Sequence, residues 1–400
     1  PPRSSSWAPE DRFFTVDTGF LIIGPRSQNG TAESPARSWL IPPERFHEMI
    51  NTRILAAMVA LLSLVGSAGC RSAPEPARTD PTGNSPVLRS RIDGVMGTQL
   101  KITVIGDDPA VLDRAMAAAA DEVRRVEDLM TDWRASELTS LNETAGQGPR
   151  EVPRELAAII SRAIELHRLT GGGFDITFAG VGKLWSFKTA PKALPEPGKI
   201  KAALRHVNAG AVKVSAADNT VELPAGMKIG LGGIAKGYGV DRAMKILMDH
   251  GIRNALVDAG GDMKILGMEF DKSWKIAIKH PRRKEKALAV LNLANTCLVT
   301  SGDYERFFEL EGKRYHHIID PRTGYPARGC MSASVVAPNA EYADALATSM
   351  CVLGPEKGLE LIERLPRVEA VLVGMNGKVH VSSGLRGQVP QGEGNEPASE

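Results

Sequence analysis

The chain has 400 residues and a formal net charge of +2, with 42% hydrophobic and 24% charged residues. This composition is typical of a soluble globular protein. The small net charge, and the lack of a Lys/Arg run with interleaved aromatic residues, argue against a nucleic-acid-binding protein. The four cysteines show no CxxC or Cys/His spacing, which argues against a zinc site.

The first part of the chain is predicted to precede the globular domain. Residues 1–48 show no sustained periodicity and are interpreted as sequence upstream of the true start at Met49. Residues 49–69 combine a basic start, an apolar run and a series of small residues, which is the pattern of a secretory signal peptide. The apolar run, 54–65, is shorter than the roughly 20 residues that a membrane-spanning helix needs.

The small residues stand directly before Cys70, in an arrangement that resembles the lipobox of bacterial lipoproteins. In a lipobox the cysteine becomes the lipidated first residue of the mature chain. We therefore expect Cys70 to anchor the protein to the periplasmic side of the inner membrane. Ser67 departs from the pattern, because such boxes usually carry Leu there, and an ordinary secretory signal is the alternative. Residues 70–88, rich in Pro, Ser, Ala and Thr, are predicted to form a flexible tether.

The globular domain is predicted to span residues 89–384 and to begin with a strand and a long helix. Apolar and polar residues alternate over 100–104, which indicates a half-buried strand. An Asp-Pro pair at 108–109 can cap and open a helix, and apolar residues at steps of three and four continue it to Met130. Trp133 follows the end of this helix, either as a core anchor or as a platform on which a ring stacks.

A second helix and two glycine-rich turns follow. Residues 153–169 repeat apolar residues at helical spacing and stop at the glycine run 171–173. A second glycine-rich stretch, 229–238, opens a helix that ends near His250. Such a turn suits an anion, because backbone N–H groups and the helix dipole both favour phosphate, and Lys236 adds a positive charge. A purely structural turn is the alternative, and the spacing does not fit a Walker A loop.

The second half of the domain carries polar residues held by turns and by one helix. Residues 255–267 are predicted to form a strand, and residues 320–324 a tight turn in which Pro and Gly fix the backbone. In the helical segment 339–352, Asp344 and Thr348 lie four residues apart and share one face. A carboxylate and a hydroxyl on adjacent turns offer two oxygens to a hard cation such as Mg²⁺. A solvated helix face is the alternative.

The domain is predicted to end in a hairpin. Residues 371–381 contain two short strand-like runs, and the Asn-Gly pair at 376–377 between them is a strong turn signal. Residues 385–400 are rich in Gly, Pro, Gln and Glu and are predicted to be disordered.

Several motifs occur in the order found in one enzyme family: MGT at 96–98, GGFDIT at 172–177, LGGIAKGYGVD at 231–241, LVDAGGDMKILG at 256–267, TSGDYERFF at 300–308, HHIIDPRTG at 316–324 and ADALATSMCVLG at 343–354. Together they closely resemble the ApbE-type flavin transferases, which are FAD:protein FMN transferases, over roughly residues 90–383. The resemblance implies an α+β fold with mixed or antiparallel sheets and packed helices, as one catalytic unit or as two sub-domains.

The resemblance also implies an activity and its partners. Enzymes of this family are Mg²⁺-dependent and periplasmic; they split FAD, attach FMN to a Thr or Ser hydroxyl of an acceptor protein as a phosphoester, and release AMP. The acceptors are typically subunits of membrane redox complexes. The expected partners of this chain are therefore FAD, such a subunit and the membrane, but not nucleic acid.

By the same resemblance, the metal ligands fall on Asp344, Thr348 and the backbone carbonyl of Gly233. The contacts with FAD fall on Met96, Trp133, Gly173, Phe174, Asp175, Lys236, Thr300, Ser301, His317, Ile318 and Asp320. Asp344 and His317 are the candidate catalytic residues. A pKa near neutrality would let His317 accept the proton of the acceptor hydroxyl, the alternative being that it only hydrogen-bonds FAD. His316 is expected to point to the opposite face of an extended segment.

One position departs from the family pattern. Gly230 stands where the family usually has an Asp that contacts FAD. A lost carboxylate removes a hydrogen-bond acceptor worth about 1–3 kcal/mol if it is buried. We therefore expect Gly230→Asp to tighten FAD binding, unless the glycine has a positive φ. Two alternatives to the transferase stay open here: a Mg²⁺-dependent FAD pyrophosphatase on the same site, and a non-catalytic flavin-binding lipoprotein, which only Gly230 favours.

Overall fold

The computed structural model of the protein describes residues 14–15, 20–22, 85–187, 191, 193–283 and 285–389. Its helices are α1 (Pro109–Met130), α2 (Glu137–Glu143), α3 (Arg154–Leu169), α4 (Ala179–Gly182), α5 (Pro197–Leu204), α6 (Ala235–Asp249), α7 (Ala340–Leu353) and α8 (Pro355–Ile362). Its strands are β1 (Phe14–Thr15), β2 (Phe20–Ile22), β3 (Val87–Val95), β4 (Thr98–Gly106), β5 (Arg150–Glu151), β6 (Lys213–Ser215), β7 (Thr220–Glu222), β8 (Asn254–Ala259), β9 (Asp262–Leu266), β10 (Trp274–Lys279), β11 (Ala287–Leu293), β12 (Thr296–Gly302), β13 (Phe307–Leu310), β14 (Lys313–His316), β15 (Cys330–Ala337), β16 (Glu369–Gly374) and β17 (Val379–Val381).

The centre of the fold is an antiparallel sheet of eight strands in the order β17-β16-β15-β12-β9-β8-β4-β3. β3 and β4 pair along their whole length, from Val87 opposite Gly106 to Val95 opposite Thr98. Side chains alternate across a strand, so a central strand covered on both faces is apolar nearly throughout. β8 shows this pattern, because every residue after Asn254 is buried.

Helices α1, α6 and α7 pack against one face of this sheet. Leu112 and Val123 of α1 and Leu247 of α6 are buried in the shared core, and full burial of such a side chain is worth about 1.5–3 kcal/mol. A Cβ on Gly237 of α6 would lie only 2.1 Å from the carbonyl oxygen of Ala340. Only glycine therefore allows the first turn of α6 to lie directly beside the first turn of α7.

The hairpin β10–β11 covers the opposite face of the sheet. Trp274, Ile276 and Ile278 of β10 are buried there with Leu291 of β11 and with Leu256 of β8. The outer side of β10 pairs with β2, which belongs to the segment predicted to lie upstream of the start. The sheet is thus enclosed between helices and a second layer of strands, which agrees with the predicted α+β class.

Most predicted elements are confirmed, and one is wrong. α1 begins after Asp108, whose carboxylate accepts the N–H groups of the first turn, and α7 spans the predicted Asp344/Thr348 helix. The segment 255–267, predicted as one strand, forms two antiparallel strands, β8 and β9. Gly260 and Gly261 between them have φ of 64° and 95°, which non-glycine residues rarely adopt. This turn reverses the chain and places Asp262 at the start of β9.

The described residues also bear on the predicted domain limits. β3 begins at Val87, inside the predicted tether 70–88. Leu385 and Val389 are buried in the core under β10 and β11, so the predicted disordered tail does not begin at 385. The predicted signal peptide 49–69 and Cys70 lie outside the described residues. No helix among the described residues is both long enough and apolar enough to cross a membrane.

Candidate active site

A cavity of about 330 Å³ opens at the face where α1 ends and α6 begins. Its lining comes from the turn after β3, the end of α1, the glycine turns at 173 and 230–233, β12, the 317–319 segment and α7. This volume lies at the lower end of the range found for small-molecule sites. Segments far apart in sequence therefore meet at one concave surface.

The structure brings all but one of the predicted site residues within the described part of the chain to this cavity. The predicted residues that line it are Met96, Trp133, Gly173, Phe174, Asp175, Gly233, Lys236, Thr300, Ser301, His317, Ile318, Asp344 and Thr348. Asp320 does not line the cavity, because its carboxylate turns to Arg322, at 2.8 Å from both the Nε and the Nη2 of that side chain. Asp320 therefore stabilises the turn 320–324. The predicted lipidation residue, Cys70, lies outside the described residues.

Three charged side chains meet beside the cavity. The Nζ of Lys236, on the first turn of α6, lies 2.6 Å from Asp262 Oδ2 and 3.5 Å from Asp344 Oδ1. The other oxygen of Asp344, Oδ2, accepts the N–H of Gly237 at 3.2 Å. Both aspartates are only 1% exposed. Buried charges need partners, and here one ammonium group is shared by two carboxylates.

Burial and neighbouring charges set the pKa values of this cluster. Burial acts to lower the pKa of Lys236, but the carboxylates of Asp262 and Asp344 outweigh it and raise that pKa. Burial raises the pKa of Asp262 well above its usual range, and the charge of Asp344 raises it further, while Lys236 opposes both effects. Two ionised carboxylates would exceed the charge of Lys236 by one, and the raised pKa of Asp262 is the consequence of that excess. The cluster relieves the excess by holding a proton, and a bound cation would relieve it in the same way.

The three residues predicted to hold a metal ion, Asp344, Thr348 and Gly233, all line the cavity. Thr348 follows Asp344 by one turn of α7, and its Oγ1 lies 3.4 Å from Ser301 Oγ. The same oxygen is 3.3 Å from the position that a Cβ on Gly233 would occupy. Within the described chain, no three His, Cys, Asp or Glu side chains are grouped so that they could hold a metal ion. One carboxylate, one hydroxyl and one carbonyl nevertheless fit Mg²⁺, which keeps waters and takes further oxygens from substrate phosphates.

The two adjacent histidines face different surroundings. His316 is 1% exposed, and its Nε2 donates to the carbonyl of Ala327 at 2.8 Å, away from the cavity. His317 lines the cavity, and its buried Nδ1 has no hydrogen-bond partner among the described residues. The expectation of a pKa near neutrality is wrong: burial lowers the pKa of His317 to about 3, and the charges of Arg306 and Lys236 add to the effect. The ring is therefore neutral at pH 7 and can accept a proton or a hydrogen bond from a ligand.

Asp175 holds the loop that carries Gly173 and Phe174. Its carboxylate accepts the N–H of Thr177 at 2.7 Å and the N–H of Ala209 at 3.1 Å. These bonds engage both carboxylate oxygens, although the residue lines the cavity. A contact between Asp175 and FAD stays a prediction. The two hydrogen bonds show that the carboxylate also links its own loop to the backbone at Ala209.

Several residues of the site were not predicted from the sequence. Glu127 of α1 accepts the N–H of Met96 at 2.9 Å, and Arg306 donates to the carbonyl of Gly97 at 3.0 Å. These two bonds fix the turn at 96–97, where Met96 has a φ of 51°. No sequence signal indicates them, because they depend on packing between distant segments. Asp262, by contrast, follows a Gly-Gly pair inside the motif at 256–267, and this position could have identified it as a candidate site residue.

The fold and the site together define a class of protein. An α+β domain with a glycine-rich turn at a helix N-terminus, a buried lysine and a carboxylate–hydroxyl pair is suited to bind a nucleotide through its phosphates. The sequence model of the ApbE family matches residues 96–372. The chain belongs to the ApbE family, as the motifs indicated.

Relatives and solved structures agree with this assignment. The chain is 37% identical over 320 residues to an FAD:protein FMN transferase of Treponema pallidum, a match that covers 74% of this chain and 87% of that protein. It is 32% identical over 317 residues to an FAD:protein FMN transferase of Vibrio cholerae, covering 76% and 90%. Its fold is similar to the crystal structure of the ApbE protein of Thermotoga maritima, with a TM-score of 0.69 and 33% identity over 76% of this chain and 100% of that one.

Proposed function

We propose that this chain is an FAD:protein FMN transferase, an enzyme that moves FMN from FAD onto an acceptor protein. The observation that carries the proposal is the cluster of Lys236, Asp262 and Asp344, set beside Thr348 and Gly233 at the cavity. The activity named for the relatives in T. pallidum and V. cholerae supports the same reaction.

The proposed reaction is a phosphoryl transfer to a hydroxyl. The oxygen of an acceptor Thr or Ser attacks the phosphorus of the FMN half of FAD. The bond from that phosphorus to the bridging oxygen breaks, and AMP leaves with that oxygen and its electron pair. Negative charge builds up around the transferred group, so fixed positive groups stabilise the transition state. Lys236, which lines the cavity, is placed to supply this stabilisation.

Asp344, Thr348 and the carbonyl of Gly233 would hold Mg²⁺ in this proposal. A bound Mg²⁺ ion would neutralise part of the negative charge of the phosphates. Lys236 keeps Asp344 in place from one side, and the N–H of Gly237 holds it from the other. The donor set fits the ion, because Mg²⁺ sites in proteins commonly use one or two carboxylates and leave the remaining positions to water and substrate.

His317 would accept the proton of the attacking hydroxyl. The ring lines the cavity, and its lowered pKa keeps it unprotonated before the substrate arrives. A phosphate close to the ring favours the imidazolium form, so the binding of FAD raises the basicity of His317. In the alternative assignment, FAD donates a hydrogen bond to the same ring of His317.

For the location we propose the periplasmic side of the inner membrane, with Cys70 as the lipid-bearing residue and a subunit of a membrane redox complex as the acceptor. The support is the sequence pattern of residues 49–70. Labelled palmitate should enter the wild-type chain in a bacterial host, and Cys70→Ala should release the protein from membranes. A wild-type chain that takes up no label would refute the lipobox interpretation, with Ser67 as the first position to examine.

The function is tested by incubating the chain with FAD, Mg²⁺ and an acceptor domain and measuring the intact mass of the acceptor. The proposal predicts an increase by one FMN phosphoester, together with AMP in solution. An acceptor whose target Thr is changed to Ala is the control and should stay unmodified. FMN and AMP without a modified acceptor would identify a pyrophosphatase, and unchanged FAD would identify a flavin-binding protein without chemistry.

A further inference from the structure

Asp132 lies in the lining of the cavity, directly in front of Gly230. A Cβ built on Gly230 would lie 3.3 Å from Asp132 Oδ2 and 3.1 Å from the Cβ of Ala179. Gly230 does not have a positive φ, so its backbone conformation does not forbid a side chain. The space in front of Gly230 is therefore already used by the carboxylate of Asp132, which comes from a different segment of the chain.

Within the described part of the chain, the carboxylate of Asp132 differs from those of Glu127, Asp175 and Asp344 in having no partner. Glu127 accepts the N–H of Met96, Asp175 accepts two backbone N–H groups, and Asp344 is held by Lys236 and by a backbone N–H. Asp132 forms no hydrogen bond or ion pair with another described residue. A carboxylate that faces a ligand cavity without a protein partner is available to accept a hydrogen bond from the ligand.

The neighbouring residue adds a second feature of a ring-binding site. Trp133 also lines the cavity and is 60% exposed, which is unusual for so large an apolar side chain. An exposed indole face beside a cavity offers a stacking surface to a planar ring. Because Trp133 and Asp132 line the same cavity, one ligand can offer a ring face to the indole and a donor to the carboxylate.

We propose that Asp132 is a specificity-determining residue for FAD, whose carboxylate accepts an N–H from the edge of one ring system of the ligand. The inference rests on the proposed function, since that function makes FAD the ligand. Both ring systems of FAD carry such a donor: the ring N–H of the flavin and the amino group of the adenine. In this chain Asp132 takes the place that an acidic side chain at position 230 would fill. The expectation that Gly230→Asp tightens binding is therefore reversed.

The first test is the affinity of the full chain for FAD in Mg²⁺, measured by isothermal titration. Asp132→Ala should weaken binding about tenfold, as expected for the loss of one hydrogen bond to a charged acceptor. Asp128→Ala is the matched control: Asp128 lies on α1 one turn earlier, its side chain is 67% exposed, and it pairs with Arg134 outside the cavity. This control removes the same charge and should leave the affinity unchanged. Equal affinities of the Asp132→Ala variant and the wild type would overturn the proposal.

The second test compares the effect of Gly230→Asp on FAD affinity with and without Asp132. The effect should change from weakening to strengthening, which a merely structural role of Asp132 would not produce. In the wild-type background, Gly230→Asp should weaken FAD binding, because the new carboxylate meets that of Asp132. In the Asp132→Ala background the same change should strengthen binding, because the space and the acceptor function are both vacant. Gly230→Ala in both backgrounds measures the steric effect of the Cβ alone. Weakening of equal size in both backgrounds would contradict the proposal.

Binding of FMN and of AMP, the two halves of FAD, shows which ring donates the hydrogen bond to Asp132. It also tests the role of Asp132 separately from the proposed function. If Asp132→Ala weakens FMN but not AMP, the flavin edge is bound; if it weakens AMP but not FMN, the adenine edge is bound. A loss for neither fragment, with melting temperatures unchanged, overturns the role of Asp132. A wild-type chain that binds FAD but modifies no acceptor would refute the proposed function alone, and the binding series would still decide the role of Asp132.

Discussion

Two buried groups of charged residues in this molecule have opposite charge balances. In one, Asp303 receives both Nη atoms of Arg282 at 2.6 Å each, and Arg314 approaches to 3.6 Å. In the other, Asp262 and Asp344 share the single ammonium of Lys236. All three aspartates are 1% exposed. Burial is therefore equal, and only the number of positive partners differs.

The difference separates a structural ion pair from a functional one. Asp303 is fully compensated by a bidentate arginine, so it needs no further ligand and stabilises the fold. In the Lys236 cluster two carboxylates face one ammonium group, and the raised pKa of Asp262 reflects the excess negative charge that full ionisation would leave buried without a further cation. A shortage of positive partners for buried carboxylates therefore distinguishes the candidate site from the structural ion pair. Separate substitutions can disrupt each of the two groups.

The largest effect is expected from Asp344→Ala. This change removes the carboxylate that would hold Mg²⁺, and FMN transfer should fall below detection. It also relieves the repulsion of Asp262, so the melting temperature should change little. Transfer and thermal unfolding, both with and without Mg²⁺, are the measurements. Asp249→Ala, which removes an exposed carboxylate of α6, is the control and should retain full activity. Full activity of Asp344→Ala would place the metal elsewhere.

Arg282→Ala should show the opposite pattern. It leaves Asp303 buried with only the more distant Arg314, and breaking such a pair costs roughly 3 kcal/mol of unfolding free energy. Transfer per folded molecule should stay unchanged, because the residue does not line the cavity. Chemical denaturation measures the loss. Adding Asp303→Asn should restore part of the stability, since the unpaired charge is then removed. A normal unfolding free energy in Arg282→Ala would contradict the structural reading of this pair.

Thr348→Val sharpens the description of the metal site and should have a smaller effect. It keeps the shape of the side chain and removes one neutral oxygen, so transfer should fall about tenfold and recover at high Mg²⁺ concentration. Ser349→Ala is the matched control, because the Ser349 hydroxyl donates to the carbonyl of Ala345 within α7. The measurement is the Mg²⁺ dependence of the rate. A tenfold loss that Mg²⁺ does not rescue would remove Thr348 from the ligand set.

Asp258 extends the comparison to a buried carboxylate whose pKa is raised by burial and lowered, to a smaller extent, by the charges of Lys101 and Lys236. Its Oδ1 accepts the N–H of Gly261, its Oδ2 has no hydrogen-bond partner among the described residues, and burial raises its pKa to about 7. The folded protein therefore binds more protons than the unfolded chain between roughly pH 4 and 7, and this residue lowers stability as the pH rises through 7. The stability of Asp258→Asn relative to wild type should increase from pH 5 to pH 8.

Urea unfolding at several pH values measures this difference. Asp128→Asn, which changes an exposed carboxylate, is the control and should follow the wild type throughout. If Asp258→Asn and the wild type lose stability in parallel as the pH rises, the pKa of Asp258 is not raised in the folded protein. The effect should appear only in the pH dependence of the free energy of unfolding.

The sequence supported the local part of the site and not its long-range pairs. The helix with Asp344 and Thr348, the glycine turn before Lys236 and the division of roles between the two histidines all follow from spacing within short segments. The pairing of Lys236 with Asp262 depends on the chain reversal at Gly260 and Gly261. The sequence analysis predicted no reversal there, because it treated residues 255–267 as one continuous strand. Spacing within a segment can be read directly, whereas a contact across the sheet requires the register of the strands.

The same limit applies to Asp132 and to His317. Asp132 was not among the site residues predicted from the sequence, and its position in front of Gly230 depends on the packing of two loops. The role of His317 at the cavity was predicted, but its pKa was not, because the pKa depends on how deeply the ring is buried. Burial and neighbouring charge are properties of the assembled fold and have no counterpart in a local pattern.

The most direct test of the central claim, that the Lys236 cluster binds a cation together with FAD, is the coupling between the two ligands. The affinity for FAD is measured by titration without Mg²⁺ and at saturating Mg²⁺, in the wild type and in Asp344→Asn. The account predicts that Mg²⁺ tightens FAD about tenfold in the wild type, that FAD tightens Mg²⁺ by the same factor, and that Asp344→Asn abolishes the coupling. The same coupling in both proteins, or none in the wild type, would contradict it.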